Sequence, residues 1–223
     1  YSNNKLNGCS LQFYENGKLK MKRFYFYGKK IKTYQEYYPN RQLKVFVRFN
    51  RKGQKTGDVE TYYENGNIKT RASFQKDIKN GRSHHFYEDN TLRMVQFFKN
   101  GKLDGYVKVY DEKKRITLFG TYQDGKRNGI FQKFSYENDC ITVVEKGYTN
   151  NFHNGYEIHT KDSIIQHLYR YSPGGKLHGI QNLNITTYLT IQYYDYGKKL
   201  LETKKTEGEN CCVCYEKTNF YTN

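Results

Sequence analysis

The chain has 223 residues, with 38 Lys and Arg against 22 Asp and Glu, a formal net charge of +16 and a mean hydropathy of −1.00. This polarity borders on that of disordered chains, but 24 Tyr and 14 Phe supply large rings that pack while a phenol stays wet. No run of about 18 apolar residues exists to cross a membrane as a helix, and no apolar segment near the N-terminus reads as a signal peptide.

Taken in order, the chain repeats a unit of about 24 residues. Its starts fall at Gly8, Lys32, Gly57, Gly81, Gly105, Gly129, Gly155 and Gly179. Five residues on from a start stand Phe13, Tyr37, Tyr62, Phe86, Tyr110 and Phe134. Eleven on stand Leu19, Leu43, Ile68, Leu92 and Ile116, and seventeen on stand Tyr25, Phe49, Phe74, Phe98 and Tyr122. The last units lose this pattern, and the sixth is two residues longer.

Each unit predicts a β-hairpin. Glu15-Asn16-Gly17-Lys18 and Glu64-Asn65-Gly66-Asn67 carry the Asn and Gly that hairpin turns demand. Pro39-Asn40-Arg41, Glu88-Asp89-Asn90 and Asp111-Glu112-Lys113-Lys114 are weaker turns at the same place. Second turns follow at Asn100-Gly101 and Asp124-Gly125. The expected fold is all-β, an elongated open antiparallel sheet of about eight stacked hairpins over residues 6–201. The glycine at each start is expected to let a neighbouring aromatic approach the backbone closely.

The run Tyr62-Tyr63-Glu64-Asn65-Gly66-Asn67-Ile68-Lys69, with its following aromatic and Gly, resembles the MORN repeat, in the variant of bacterial antitoxin-like YwqK-type proteins. The resemblance spans roughly residues 6 to 200. It implies an open single-layer array of hairpins that serves scaffolding, dimerisation or acidic-lipid binding. Many MORN repeats carry Trp in the first strand; this chain has none and places Tyr34, Val59, Val107 and Phe131 there.

Residues 202–210 contain no apolar side chain and read as a polar linker. Beyond them Cys211 and Cys214 stand in C-x-x-C spacing, which lets two thiolates of one turn share a tetrahedral zinc, with Cys212 as an alternative ligand. Residues 211–223 resemble the opening of a RING finger. That resemblance implies zinc, a ubiquitin-conjugating enzyme as partner, and a ubiquitin ligase with the repeats as its targeting arm, in a protein longer than this chain. The first residue, Tyr1, agrees with a fragment. The Lys, Asn, Tyr and Ile richness points to an AT-rich viral or protist genome.

Cys9 and Cys140 are expected as small core residues, and five unevenly placed cysteines form no disulfide framework, so a reducing intracellular setting is expected. The histidines show no ligand spacing; His84 and His85 fall on opposite faces of one strand. Nothing in the chain spells a catalytic motif, so the chain reads as a non-catalytic scaffold for a protein partner or for self-association. The alternatives are attachment to acidic lipid through the basic charge, an antitoxin-like role, and, ranked lower, nucleic-acid binding. The basic residues read as spread along the repeats, with no long run.

Overall fold

The computed structural model describes residues 5–138, 140–161, 164–172, 175–177, 179–181, 188–195, 198–206 and 216–220. Every regular element among them is a strand. The chain divides into two bodies, residues 1–115 and 116–223.

The first body is a meander of β1 (Gly8–Phe13), β2 (Leu19–Phe26), β3 (Lys29–Tyr37), β4 (Leu43–Phe49), β5 (Gly57–Tyr62), β6 (Ile68–Gln75), β7 (Ile78–Phe86), β8 (Leu92–Lys99) and β9 (Lys102–Tyr110). Each strand pairs antiparallel with the next in sequence. The expected hairpins are therefore present. Their turns place a positive φ nine residues after each start, at Gly17, Arg41, Gly66, Asn90 and Lys114. The side chain one residue earlier caps the turn: Asn16, Asn40, Asn65 and Asp89 each accept from a backbone N–H two residues on, at 2.9–3.1 Å. The second turns at Tyr27-Gly28, Lys76-Asp77 and Asn100-Gly101 have two consecutive positive φ values, the geometry that matches strand twist. Between β4 and β5 a longer loop, residues 50–56, takes their place.

The start glycines meet the expectation at one position and differ from it at others: a Cβ added at Gly105 would lie 3.0 Å from the Phe97 side chain. Gly8, Gly57, Gly81, Gly105, Gly129 and Gly155 all have φ between 71° and 116°, and Lys32 adopts 59° in the same place. A Cβ added at Gly8, Gly57 or Gly155 would meet nothing within 4 Å. The constraint at these three positions is therefore the left-handed backbone of a bulge, not the approach of an aromatic. A tighter approach occurs at Gly120, outside the start register, where a Cβ would fall on the Phe131 ring.

Alternation fixes the two faces of the first sheet. Residues two after a start pair with residues fifteen after it, giving Ser10↔Arg23↔Tyr34↔Val47 and, further on, Val59↔Ala72↔Ser83↔Gln96↔Val107. Val47, Ala72, Ser83 and Val107 are buried, and on the opposite face Val95 is buried as well. The row through Ser83 is the thin core of a single layer. The opposite face carries Phe24, Phe46, Phe97 and Tyr106.

The second body continues the same pattern in β10 (Ile116–Gln123), β11 (Lys126–Glu137), β12 (Cys140–Thr149), β13 (Phe152–Lys161) and β14 (Ile164–Tyr171). The two extra residues of the sixth unit lengthen its arms, so β11 has 12 residues and β12 has 10. Four further strands form a separate sheet: β15 (Gly179–Gln181), β16 (Tyr188–Asp195), β17 (Lys198–Thr206) and β18 (Glu216–Phe220). Strand β17 runs through residues 202–206, which read as linker from the sequence. Polarity misled there: Thr203 and Thr206 are β-branched, and a strand needs no apolar residue to pair its backbone. Strand β18 lies within the segment that resembles a RING opening and pairs with β17. Cys211, Cys212 and Cys214, the predicted zinc ligands, lie outside the described residues.

Candidate interaction surface and a buried carboxylate

In the first body a tyrosine column stitches each repeat to the next. Tyr14, Tyr38, Tyr63 and Tyr87 stand six residues after their starts. Their hydroxyls donate to the backbone oxygens of Tyr37, Tyr62, Phe86 and Tyr110 at 2.7–2.9 Å. Over these rings lie the cations found six residues further on: Lys20, Lys44, Lys69 and Arg93, at 5.2–5.7 Å from the ring centres. The aromatic pair at Tyr62-Tyr63 was visible in the sequence; its division of labour was not. Tyr62 donates to Glu60 at 2.5 Å, while Tyr63 bridges to the next repeat.

The row of the buried face leaves two polar atoms without a partner. Ser83 is 1% exposed, and its hydroxyl has none; nor does Nε2 of His85. His84, one residue away, lies on the opposite face as expected, paired in register with Val95. Burial pushes the pKa of both histidines down, with nearby cations adding to it.

The meander also sorts charge. Because turns alternate between the two long edges, all first turns share one edge and all second turns the other. The first-turn edge carries Glu15, Glu64, Glu88, Asp89, Asp111 and Glu112 against Lys18, Arg41, Lys113, Lys114 and Arg115. The second-turn edge carries Lys29, Lys30 and Lys32, then Arg51, Lys52 and Lys55. It continues with Lys76 and Lys79, then Lys99 and Lys102, and its acids are Asp77 and Asp104. Cations that form no long run in the sequence are thus gathered on one edge in this body, since linear spacing hides which turns fold to the same side.

In the second body the residue two after a start breaks the pattern of the chain. Where other units place Ser10, Tyr34, Val59, Ser83, Val107 and Phe131, this one places Glu157. Strand β13 presents it on the row Gly120↔Phe131↔Lys146↔Glu157↔Tyr169, and it is 7% exposed. His159 Nε2 lies 2.7 Å from one carboxylate oxygen, and the Lys146 ammonium 3.0 Å from the same oxygen. His153 Nδ1 approaches the other oxygen at 3.9 Å. The His153 ring sits against Tyr171 at 3.8 Å and near Tyr148 at 5.5 Å, and Arg127 lies 4.1 Å over Tyr148.

Burial drives the Glu157 pKa up, but hydrogen bonds from His159 and Lys146 outweigh it and hold the carboxyl below its usual range. Burial pushes His153 down and, with the Glu157 carboxylate, pushes Tyr171 up to about 12. The group is thus an ionised carboxylate locked among donors, suited to fixing β12, β13 and β14 together rather than to moving a proton. Sequence reasoning passed over Glu157 and its two histidines; the signal was the break in an otherwise small or apolar column.

Among the described residues, no group of three or more His, Cys, Asp or Glu is arranged to hold a metal ion. Cys9, expected in the core, is exposed, because the residue one after a start points away from the buried row. Cys140 is half-buried at the start of β12. Among the described residues no helix is long and apolar enough to cross a membrane. No curated protein matches the chain. The hairpins β1–β2 and β5–β6 do match a family: residues 6–26 and 55–76 fit the model of the MORN repeat variant, and MORN repeats are in general protein- or lipid-binding modules.

Proposed function

We propose that the chain is a non-catalytic repeat scaffold whose buried-row face binds a partner protein inside the cell. The observation that carries this reading is the pair Ser83 Oγ and His85 Nε2. Both are buried on that face and unpartnered within the chain. A buried polar atom without a partner costs on the order of 1–3 kcal/mol, and because Ser83 is only 1% exposed a docked chain supplies a partner by displacing the side chains that cover it. A photo-crosslinker placed at Gln96, between Ser83 and Val107 in the row, tests it. A crosslinked protein band that survives 0.5 M salt and disappears in Val107→Arg supports the scaffold reading. Crosslinks that vanish with salt alone overturn it, because packing against a protein partner outlasts charge screening.

The finer reading makes the repeats the targeting arm of a RING-type ubiquitin ligase. It is supported by the C-x-x-C spacing of Cys211 and Cys214, with Cys212 as an alternative. Four ligands complete a structural zinc site, and Cys211 and Cys214 would supply two of them. Zinc content of the protein translated from the whole transcript decides it: one tightly held zinc lost in Cys211→Ser supports the ligase arm, and a zinc-free product ends it. Attachment to acidic lipid through the basic surface is the second reading, favoured by the net charge and by the lipid-binding habit of MORN repeats.

A further inference from the structure

We propose that the second-turn edge of the first body is a track for single-stranded nucleic acid. Neighbouring turns on one edge are separated by two strands, about 10 Å, so the four second turns set their cations along a line of about 30 Å. Of the ten cations there, Lys55 and Lys79 are half-buried and the others are exposed. The carboxylate of Asp77, one of two acids on this edge, already accepts from the backbone N–H of Lys55 at 2.8 Å. A line of cations one sheet thick fits a linear polyanion, which needs charge neutralised along its path.

The rings beside the edge point to single strands rather than duplex. Phe26 and Tyr27 form the tip of the first second-turn, packed edge to face at 4.6 Å, and are 53% and 48% exposed. Exposed rings at a basic edge offer π-faces on which unpaired bases stack, a contact a closed duplex cannot make without opening. Along the adjoining face, Phe24 is covered by Lys22 and Lys32, and Phe97 and Tyr106 carry Arg82 and Lys108. That face also holds Asp58 and Glu60, beside an open recess of about 250 Å³ between β4 and β5. Arg48 also lines the recess and Glu60 is paired with Arg71 at 2.7 Å, so it is the line of ten cations, not repulsion from the recess, that assigns the track to the edge. This proposal stands apart from the protein-binding face, which looks the other way.

The test uses the whole chain and a fluorescein-labelled 20-nucleotide oligouridylate, read by anisotropy between 50 and 200 mM KCl. If each of the four turns neutralises one phosphate, affinity falls about fifty-fold over that range. The edge variant K29E/K30E/K52E is expected to weaken binding at least ten-fold and to flatten the salt dependence. The control K18E/R41E/K113E, with the same change in net charge on first turns, leaves binding within two-fold. F26A is expected to lower affinity several-fold with an unchanged salt slope, as loss of a stacked base predicts. Far-UV circular dichroism confirms that each variant stays folded.

Equal losses in the edge and control variants overturn the track, because net charge alone then explains binding. An F26A protein that binds as tightly as the parent overturns the assignment to single strands. Vesicles containing 30% phosphatidylserine form the second arm. Edge-dependent binding to them without binding to the oligouridylate overturns the proposal in favour of a membrane surface. Because Val107→Arg lies on the other face, it is expected to leave oligouridylate binding intact.

Discussion

The hydroxyl of Tyr38 donates to the backbone oxygen of Tyr62, 24 residues later, at 2.9 Å. One side chain thus ties the end of β3 to the end of β5, skipping the strand between. The bond repeats at every junction from Tyr14 to Tyr87, so it is the seam by which units too small to fold alone share stability.

Tyr38→Phe and Tyr63→Phe are each expected to lower stability by about 1 kcal/mol, the usual net value of one such bond. The ring and its overlying cation remain in both. Because neighbours couple in one-dimensional arrays, the double variant is expected to lose more than the sum. Urea unfolding followed by far-UV circular dichroism gives the values.

Backbone strain gives a prediction of the opposite sign. Lys32 holds φ 59° where the other starts of the first body have glycine. Lys32→Gly is expected to stabilise the first body by about 0.5–1 kcal/mol, since an L-residue in the left-handed region costs roughly 1–2 kcal/mol and glycine returns part of that as chain entropy. The converse change, Gly57→Ala, is expected to destabilise by about 1 kcal/mol although space for the methyl is open. Thermal melts that rank Lys32→Gly below the parent would contradict the bulge assignment.

Gly120→Ala separates sterics from φ. Its added methyl meets the Phe131 ring. An overpacked site of this kind costs about 1–3 kcal/mol. Pairing it with Phe131→Leu is expected to restore part of the loss, and a double variant no better than Gly120→Ala alone would remove Phe131 as the cause.

The Glu157 group predicts how the second body responds to acid. His153 has a folded pKa below its ordinary 6.5, so the unfolded chain takes up its proton first and stability falls as pH drops below about 6.5. Glu157 also has a folded pKa below its ordinary 4.5. Its stabilising share is full above about 4.5 and is lost as pH falls through the folded value. Two successive losses are therefore expected in a pH series of urea melts. His153→Phe should flatten the step near neutrality and Glu157→Gln the acid step. A Glu157→Gln profile that keeps the acid step would show that another carboxylate governs it.

Much of the fold was legible because its determinants recur. Gly17, Gly66, Asn16 and Asn65 name their turns outright, and the columns of Phe13 and Tyr25 fix the period. The seam was equally periodic: Tyr14, Tyr38, Tyr63 and Tyr87 with Lys20, Lys44, Lys69 and Arg93 keep one spacing. It escaped notice because an aromatic pair does not reveal which ring turns inward. Ser83 and His85 were harder, since a missing partner is a property of three dimensions. The sorting of Lys29, Lys52 and Lys76 to one edge needs the meander, which brings every second turn together although about 24 residues separate them. Residues 202–206 of the strand Lys198–Thr206 were read as linker for another reason: backbone pairing asks nothing of side-chain polarity.

The seam also sets which accidents of copying the first body tolerates. Each tyrosine reaches one unit ahead and no further, so removing a whole unit of about 24 residues joins a donor to an equivalent acceptor and keeps every face in place. Removing one residue from within a strand turns all later side chains of that strand over, exchanging Ser83-like positions for Arg82-like ones. The array is therefore open to change in its length and closed to change in its phase. Lineages of such a chain are expected to differ by whole hairpins, gaining or losing about 10 Å of basic edge at a time.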